Sequence, residues 1–278
     1  MKVKLASNYG FCFGVKRAIR IAEDYENSAT MGPLIHNQDE INRLKNDFNV
    51  GLYNNLSDVK DHDTVIIRTH GIPKNDLKHL RTLNAKIINA TCPFVTTPQQ
   101  IVKKMSSEGY SILIFGDSDH PEVKGVQSYA ENQDDVHIVL EPSDLQNIVF
   151  KNNKIATVAQ TTKKKEKYLE IVNYLILKNK EVRVFNTICD ATFENQDAAR
   201  ELSKEVDIMI VIGEKNSSNT KQLHSICLEN CPNSYLIENE TELENSWFLN
   251  KNLCGVTAGA STPDWIIQQV VDKIESFN

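Results

Sequence analysis

The sequence has no apolar run approaching the ~18 residues needed to cross a bilayer. Its opening stretch, MKVKLASNYG, lacks the apolar core of a secretory signal. A soluble, cytoplasmic protein with no membrane partner is therefore expected. There is no long basic segment, and 31 Lys and Arg stand against 37 Asp and Glu, a net charge of −6. Nucleic acid is not an expected partner, because phosphate backbones call for a basic face. No Walker-type loop and no convincing Gly-x-Gly-x-x-Gly turn is present, so a nucleotide is not the favoured anion. The six cysteines, at 12, 92, 189, 227, 231 and 254, include no Cys-x-x-Cys pair, which argues against a zinc ribbon or a thioredoxin-like motif. A disulfide framework is unexpected in a chain this long without an export signal. No low-complexity linker divides the 278 residues.

What is present is a repeated short apolar run, then a small polar cluster, then a helical segment. Such alternation reads as α/β with a mostly parallel sheet. The runs include Thr64–Ile67, Ile112–Phe115, Ile155–Ala159, Val182–Phe185 and Ile208–Ile212. Nine junctions between a run and the following helix carry reactive or hydrogen-bonding side chains: Cys12, His36, His70, Cys92, His120 with Glu122, Thr161-Thr162, Cys189, Ser217-Ser218-Asn219 and Ser261-Thr262. Ligands of open α/β sheets bind outside the carboxyl ends of the strands, so nine such junctions aimed at one place would build a single polar site. They fall into thirds, each opening with a cysteine. Three α/β units are expected, over residues 1–91, 92–188 and 189–278, in a pseudo-threefold arrangement that repeats in pattern only.

Three cysteine thiolates could hold an iron–sulfur cubane and leave one iron open as a Lewis acid; taken alone they read first as buried, inert cysteines. Glycines flank Cys12 in Gly10-Phe11-Cys12-Phe13-Gly14, and Cys92 precedes Pro93 at a helix start, where the helix dipole favours thiolate. Cys227, Cys231 and Cys254 read as structural. His36, His70 and His120 could bind a metal or donate to phosphate oxygens. The Ser217–Thr220 and Ser261-Thr262 stretches are helix caps that also suit anions. Glu122 is the carboxylate nearest the polar set and could pass protons. The Lys163–Lys167 run reads as a solvated helix face.

Read together, these stretches resemble the 4-hydroxy-3-methylbut-2-enyl diphosphate reductase family of the methylerythritol phosphate route. The matching segments run from Gly10-Phe11-Cys12 through Gly32-Pro33-Leu34-Ile35-His36-Asn37, Thr69-His70-Gly71-Ile72-Pro73, Ala90-Thr91-Cys92-Pro93, His120-Pro121-Glu122-Val123, Gln160-Thr161-Thr162, Thr187-Ile188-Cys189 and Ser217-Ser218-Asn219-Thr220 to Ala258-Gly259-Ala260-Ser261-Thr262-Pro263. The resemblance implies a 4Fe-4S cluster on Cys12, Cys92 and Cys189, at the centre of three α/β units. It implies diphosphate binding by His36, His70, His120, Ser217, Ser218, Asn219 and Ser261, contact of Thr161 with the substrate hydroxyl or its water, and proton donation by Glu122. It also implies a one-electron donor protein such as ferredoxin or flavodoxin. Asn89 and Asn195 depart from the family, where aspartate and arginine are frequent. Two other readings stay open at this point: a zinc-dependent hydrolase using the three histidines, and a non-catalytic iron–sulfur redox module.

Overall fold

The computed structural model describes residues 1–35 and 37–277, with the side chain of Thr192 excepted. The chain opens with β1 (Lys2–Leu5) and α1 (Phe13–Asp24). It continues through β2 (Ala29–Met31), α2 (Gln38–Phe48), β3 (Gly51–Tyr53), β4 (Thr64–Ile67), α3 (Lys74–Thr82) and β5 (Lys86–Asn89). Next come α4 (Pro93–Ser107), β6 (Ser111–Phe115), α5 (Pro121–Gln127), β7 (Val136–Val139), β8 (Lys154–Ala159), α6 (Lys165–Lys178) and β9 (Glu181–Val184). The last third holds α7 (Asp190–Ser203), β10 (Ile208–Ile212), α8 (Ser218–Asn230), β11 (Ser234–Ile237), β12 (Leu253–Ala258) and α9 (Asp264–Ser276).

The strands form three four-stranded sheets, ordered β3-β2-β4-β5, β7-β6-β8-β9 and β11-β10-β12-β1. Every pairing is parallel. The three orders are one order, 2-1-3-4, so the expected three similar α/β units are present. Parallel neighbours require crossovers, and crossovers cover both faces of a sheet. The central strands are accordingly near-continuous apolar runs: Ser111-Ile112-Leu113-Ile114-Phe115 and Ile208-Met209-Ile210-Val211-Ile212 are buried throughout. Alternate residues of β10 serve opposite faces. Ile208, Ile210 and Ile212 pack toward Ile266, Val270 and Ile274 of α9, whereas Met209 and Val211 pack toward Leu202 of α7 and Leu223 of α8. Each fully buried Ile or Leu contributes about 1.5–3 kcal/mol.

One strand is far from its partners in sequence. β1 pairs with β12, Lys2 opposite Leu253 and Leu5 opposite Val256, and so supplies the fourth strand of the third sheet. The Met1 amino group donates to the Phe277 carbonyl at 3.4 Å, within the same unit. β1 is an edge strand whose exposed Lys2 and Lys4 discourage further pairing. The helices that lead from one sheet to another are α1, α4 and α7, and Cys12, Cys92 and Cys189 each occupy the residue immediately before one of them.

By packing, the chain forms two compact units. One comprises residues 1–17, 35–44 and 190–278 and contains the β11-β10-β12-β1 sheet; the other comprises 18–34 and 45–189 and contains the other two sheets. Among the described residues no helix is long and apolar enough to cross a membrane.

Candidate active site

In a 2-1-3-4 sheet the chain leaves the first strand in one direction and later crosses to the third on the other side. The crevice between the carboxyl ends of strands one and three is the switch point where ligands bind. In the β7-β6-β8-β9 sheet the flanking junctions carry His120 and Thr161. In the β11-β10-β12-β1 sheet they carry Ser217 and Ser261. In the β3-β2-β4-β5 sheet they are the junctions after β2 and β4, the second of which carries His70; His36 lies outside the described residues. Each cysteine follows a fourth strand.

The cysteines are presented by one repeated device. The Cys12 N–H donates to the Ala260 carbonyl at 3.2 Å, Cys92 to Thr69 at 3.0 Å and Cys189 to Thr161 at 2.8 Å. In each case the acceptor lies two residues beyond a third strand. Gly10, at φ +70°, turns the chain toward Cys12 in a conformation that favours glycine. Asn89 and Asn186 do the turning before the other two: Asn89 Oδ1 accepts from Thr91 N at 3.0 Å and Asn186 Oδ1 from Ile188 N at 3.3 Å. An aspartate at 89 would accept the same bond, so that departure leaves the local turn intact. Asn195 is buried within α7.

Exposure separates the two sets of thiols. Cys12, Cys92 and Cys189 are half-buried; Cys227, Cys231 and Cys254 are buried. Burial, with Cys231 close by, pushes the Cys227 and Cys254 thiols up to about 12. A ligand thiol must ionise, so these two are structural. The first set suits an iron–sulfur group: soft donors at helix starts, accessible, each amide pinned to a neighbouring junction. Among the described residues, no three His, Cys, Asp or Glu side chains gather into a single-ion site.

An acid lies beside this framework in the larger unit. Glu122, in the first turn of α5, is only 1% exposed. Its Oε1 accepts from Thr161 N at 2.7 Å and its Oε2 from Thr161 Oγ1 at 2.8 Å. Burial raises the carboxyl to about 6, against the lowering effects of both Thr161 bonds and the Lys163 charge. Lys163 is itself partly buried, and burial lowers its pKa; the solvated-face reading fits Lys165, the first residue of α6, and not Lys163. His120 caps α5, its Nδ1 accepting from Glu122 N at 3.2 Å. A neutral His120 therefore carries its proton on Nε2 and presents a donor there. The His70 ring meets His120 edge-on, with centroids 5.3 Å apart. Gly116 admits no side chain, since a Cβ would stand 2.7 Å from Val123 Cγ2. A continuous path thus runs from Cys92 through Thr69, His70, His120, Glu122 and Thr161 to Cys189.

The smaller unit carries neutral donors of its own. Ser217 caps α8, with its Oγ accepting from Thr220 N at 3.4 Å. Ser218 is exposed and Ser261 half-buried. Asn219 is buried, and among the described residues neither its Nδ2 nor its Oδ1 has a hydrogen-bond partner. Leaving a buried amide unsatisfied costs about 1–3 kcal/mol per group, a cost that a polar ligand would relieve. Thr220 Oγ1 wedges the two strand ends, because a Cβ on Gly213 or Gly259 would lie 2.8 or 2.5 Å from it. Sequence reasoning missed Thr69 as the Cys92 anchor and did not single out Thr187, whose Oγ1 accepts from Ala159 N at 2.9 Å. Their partners are backbone groups distant in sequence, which no local pattern shows.

Comparison with known proteins identifies the family. The LytB protein family model matches residues 3–275. A protein of Sulfurovum sp. (strain NBC37-1), named 4-hydroxy-3-methylbut-2-enyl diphosphate reductase, is 63% identical over 277 residues, covering 100% of both chains. One of the same name from Campylobacter concisus is 62% identical over 99% of both. A solved structure of (E)-4-hydroxy-3-methyl-but-2-enyl diphosphate reductase, described as the terminal enzyme of the non-mevalonate pathway, has 43% identity, a TM-score of 0.76 and 99% coverage of each chain. The E-1-hydroxy-2-methyl-but-2-enyl-4-diphosphate reductase of Plasmodium falciparum gives a TM-score of 0.91 at 28% identity, covering 100% of this chain and 89% of its own. With the family model matching residues 3–275 and full-length relatives at 62–63% identity, the chain belongs to the LytB protein family.

Proposed function

We propose that this chain reduces (E)-4-hydroxy-3-methylbut-2-enyl diphosphate to isopentenyl and dimethylallyl diphosphate, as an oxidoreductase of isoprenoid precursor synthesis. The observation that carries the reading is the buried Glu122–Thr161 pair, one backbone hydrogen bond from Cys189. The overall change is the breaking of one allylic C–O bond and the making of one C–H bond, with two electrons and two protons consumed and water released. An iron–sulfur cofactor is required; as a 4Fe-4S cluster held by Cys12, Cys92 and Cys189 it would supply single electrons and a Lewis-acidic iron without a cysteine. Each third of the chain, 1–91, 92–188 and 189–278, would supply one of these thiolates.

The chain's own residues do the rest. His36, His70, His120, Ser217, Ser218, Asn219 and Ser261 bind the diphosphate. Their neutral donors, with the free N–H groups of the α8 start, explain how a chain of net charge −6 holds an anion. Thr161 meets the substrate hydroxyl or its water. Protonated Glu122 donates to Thr161 Oγ1, which turns the Thr161 hydroxyl proton toward the substrate oxygen; a proton can then pass from Glu122 through Thr161 to the leaving hydroxyl. Fixing both ends of the substrate is catalysis by positioning. A one-electron carrier such as ferredoxin or flavodoxin would deliver the electrons, in the cytoplasm.

The test is anaerobic purification, then incubation with the substrate and a one-electron reductant. Both five-carbon diphosphates should form, and oxygen should abolish both the brown colour and the activity. Brown protein that makes neither product would remove the substrate assignment; colourless protein containing zinc would favour a hydrolase.

A further inference from the structure

Residues 35–44 lie in sequence between β2 and β3, yet they pack in the compact unit of the β11-β10-β12-β1 sheet. Two polar contacts fasten them there. The Gln38 N–H, at the start of α2, donates to Glu214 Oε1 at 2.6 Å. The Trp265 indole N–H, at the start of α9, donates to Glu40 Oε2 at 2.9 Å. Glu40 is 1% exposed, and such a carboxylate is costly unless fully partnered. It is: Arg43 Nε lies 3.1 and 3.0 Å from its two oxygens and Arg43 Nη2 lies 2.6 Å from Oε1. Its own N–H donates to Oδ1 of buried Asn37 at 2.8 Å. Burial raises the Glu214 carboxyl, with Glu238 and Asp39 adding to the shift and the Gln38 N–H opposing it.

Each anchor is a short step along the chain from a group assigned to the diphosphate. Gln38 and Glu40 follow His36, Glu214 precedes Ser217, and Trp265 follows Ser261. We propose that Glu40, Trp265 and Glu214 are positioning residues that fasten the start of α2, which follows His36 in sequence, to the elements that carry Ser217–Asn219 and Ser261, so that a diphosphate meets a framework already set. The proposal rests on the reading of these junctions as a diphosphate site. Preorganisation of this kind strengthens binding by removing the loop-ordering cost that the ligand would otherwise bear. Pairing of Glu40 with the Arg43 guanidinium keeps its charge from repelling the anion.

The experiment uses the holoenzyme, with inorganic diphosphate as the calorimetric probe and turnover of the allylic diphosphate in parallel. Trp265→Phe keeps the ring and deletes the N–H. The dissociation constant for inorganic diphosphate should rise about tenfold, the loss expected of one hydrogen bond to a charged group. KM should rise with it, while kcat and iron content hold within about twofold. In a His36→Ala background the same substitution should add little, because it acts through the His36 junction. A merely structural tryptophan would lower thermal stability and kcat without that non-additivity. Glu214→Ala, at a position close to solvent, is the second variant and should give the same selective rise in KM. The proposal is overturned if both variants bind inorganic diphosphate as the wild type does, or if the Trp265→Phe loss adds in full to that of His36→Ala. Wild-type protein that binds inorganic diphosphate but forms no five-carbon product removes the reductase reading alone, and the dissociation constants still decide the positioning role. Wild-type protein that binds no diphosphate overturns both.

Discussion

Glu122 is where a pH titration reads the mechanism and the fold at once. Its carboxyl stands at about 6, against an ordinary 4.5, because it is buried. As the proposed proton donor it would act only when protonated, so kcat/KM should fall about tenfold per pH unit above about 6. Glu122→Gln keeps the volume but fixes the bonding. The amide oxygen must face Thr161 N, and the amide nitrogen must donate to Thr161 Oγ1, because an NH2 group accepts nothing. The variant should therefore bind diphosphate and fold, yet turn over roughly 100-fold more slowly and lack the alkaline limb. Stability gives an independent reading. A carboxyl whose folded pKa is raised contributes stability that is complete below the unfolded value and lost as pH rises through the folded one. From 4.5 to about 6, that loss is about 2 kcal/mol in the wild type and absent in Glu122→Gln. Denaturant melts at pH 4.5 and 7.5 for both proteins, beside pH–rate profiles, measure the two effects. An alkaline limb that survives unchanged in the variant, or wild-type turnover by the variant, refutes the assignment.

Two further outcomes are expected. Cys92→Ser should strip most of the iron, as counted by metal analysis of anaerobically purified protein, whereas Cys227→Ala should retain it; iron lost equally from both would count against the distinction drawn from burial. Asn219→Ala removes two unpartnered buried polar atoms, so diphosphate affinity should drop at least roughly tenfold while thermal stability holds or improves, and a destabilised variant with intact affinity would reverse that reading.

Much of this architecture is written locally. The runs at Ile112–Phe115, Ile155–Ala159 and Ile208–Ile212 declare buried central strands by composition alone, and the junction residues after them declare a polar site. The strands that composition did not announce are β3, β7 and β11, which hold the same outer place in each sheet. There a strand of three or four residues needs only one covered face, and the side chains after it serve no switch point. The partner of β1 was also illegible, because the choice between sheets depends on contacts made at the far end of the chain. Glu40 illustrates the limit within the site. In sequence it is an ordinary first-turn acid of α2, and only the indole of Trp265 distinguishes it.

The placement of β1 bears on how the protein is made. Its partner β12 begins at Leu253, so β1 stays unpaired until the segment through β12 has left the ribosome. The sheets of β2–β5 and β6–β9 can form meanwhile. Cys12 is held by the Ala260 carbonyl, and therefore takes its place only when the final sheet closes. Under the proposed ligand set, loading of a cluster would therefore wait for β12, and a truncated chain that lacks β12 would leave Cys12 without its backbone anchor.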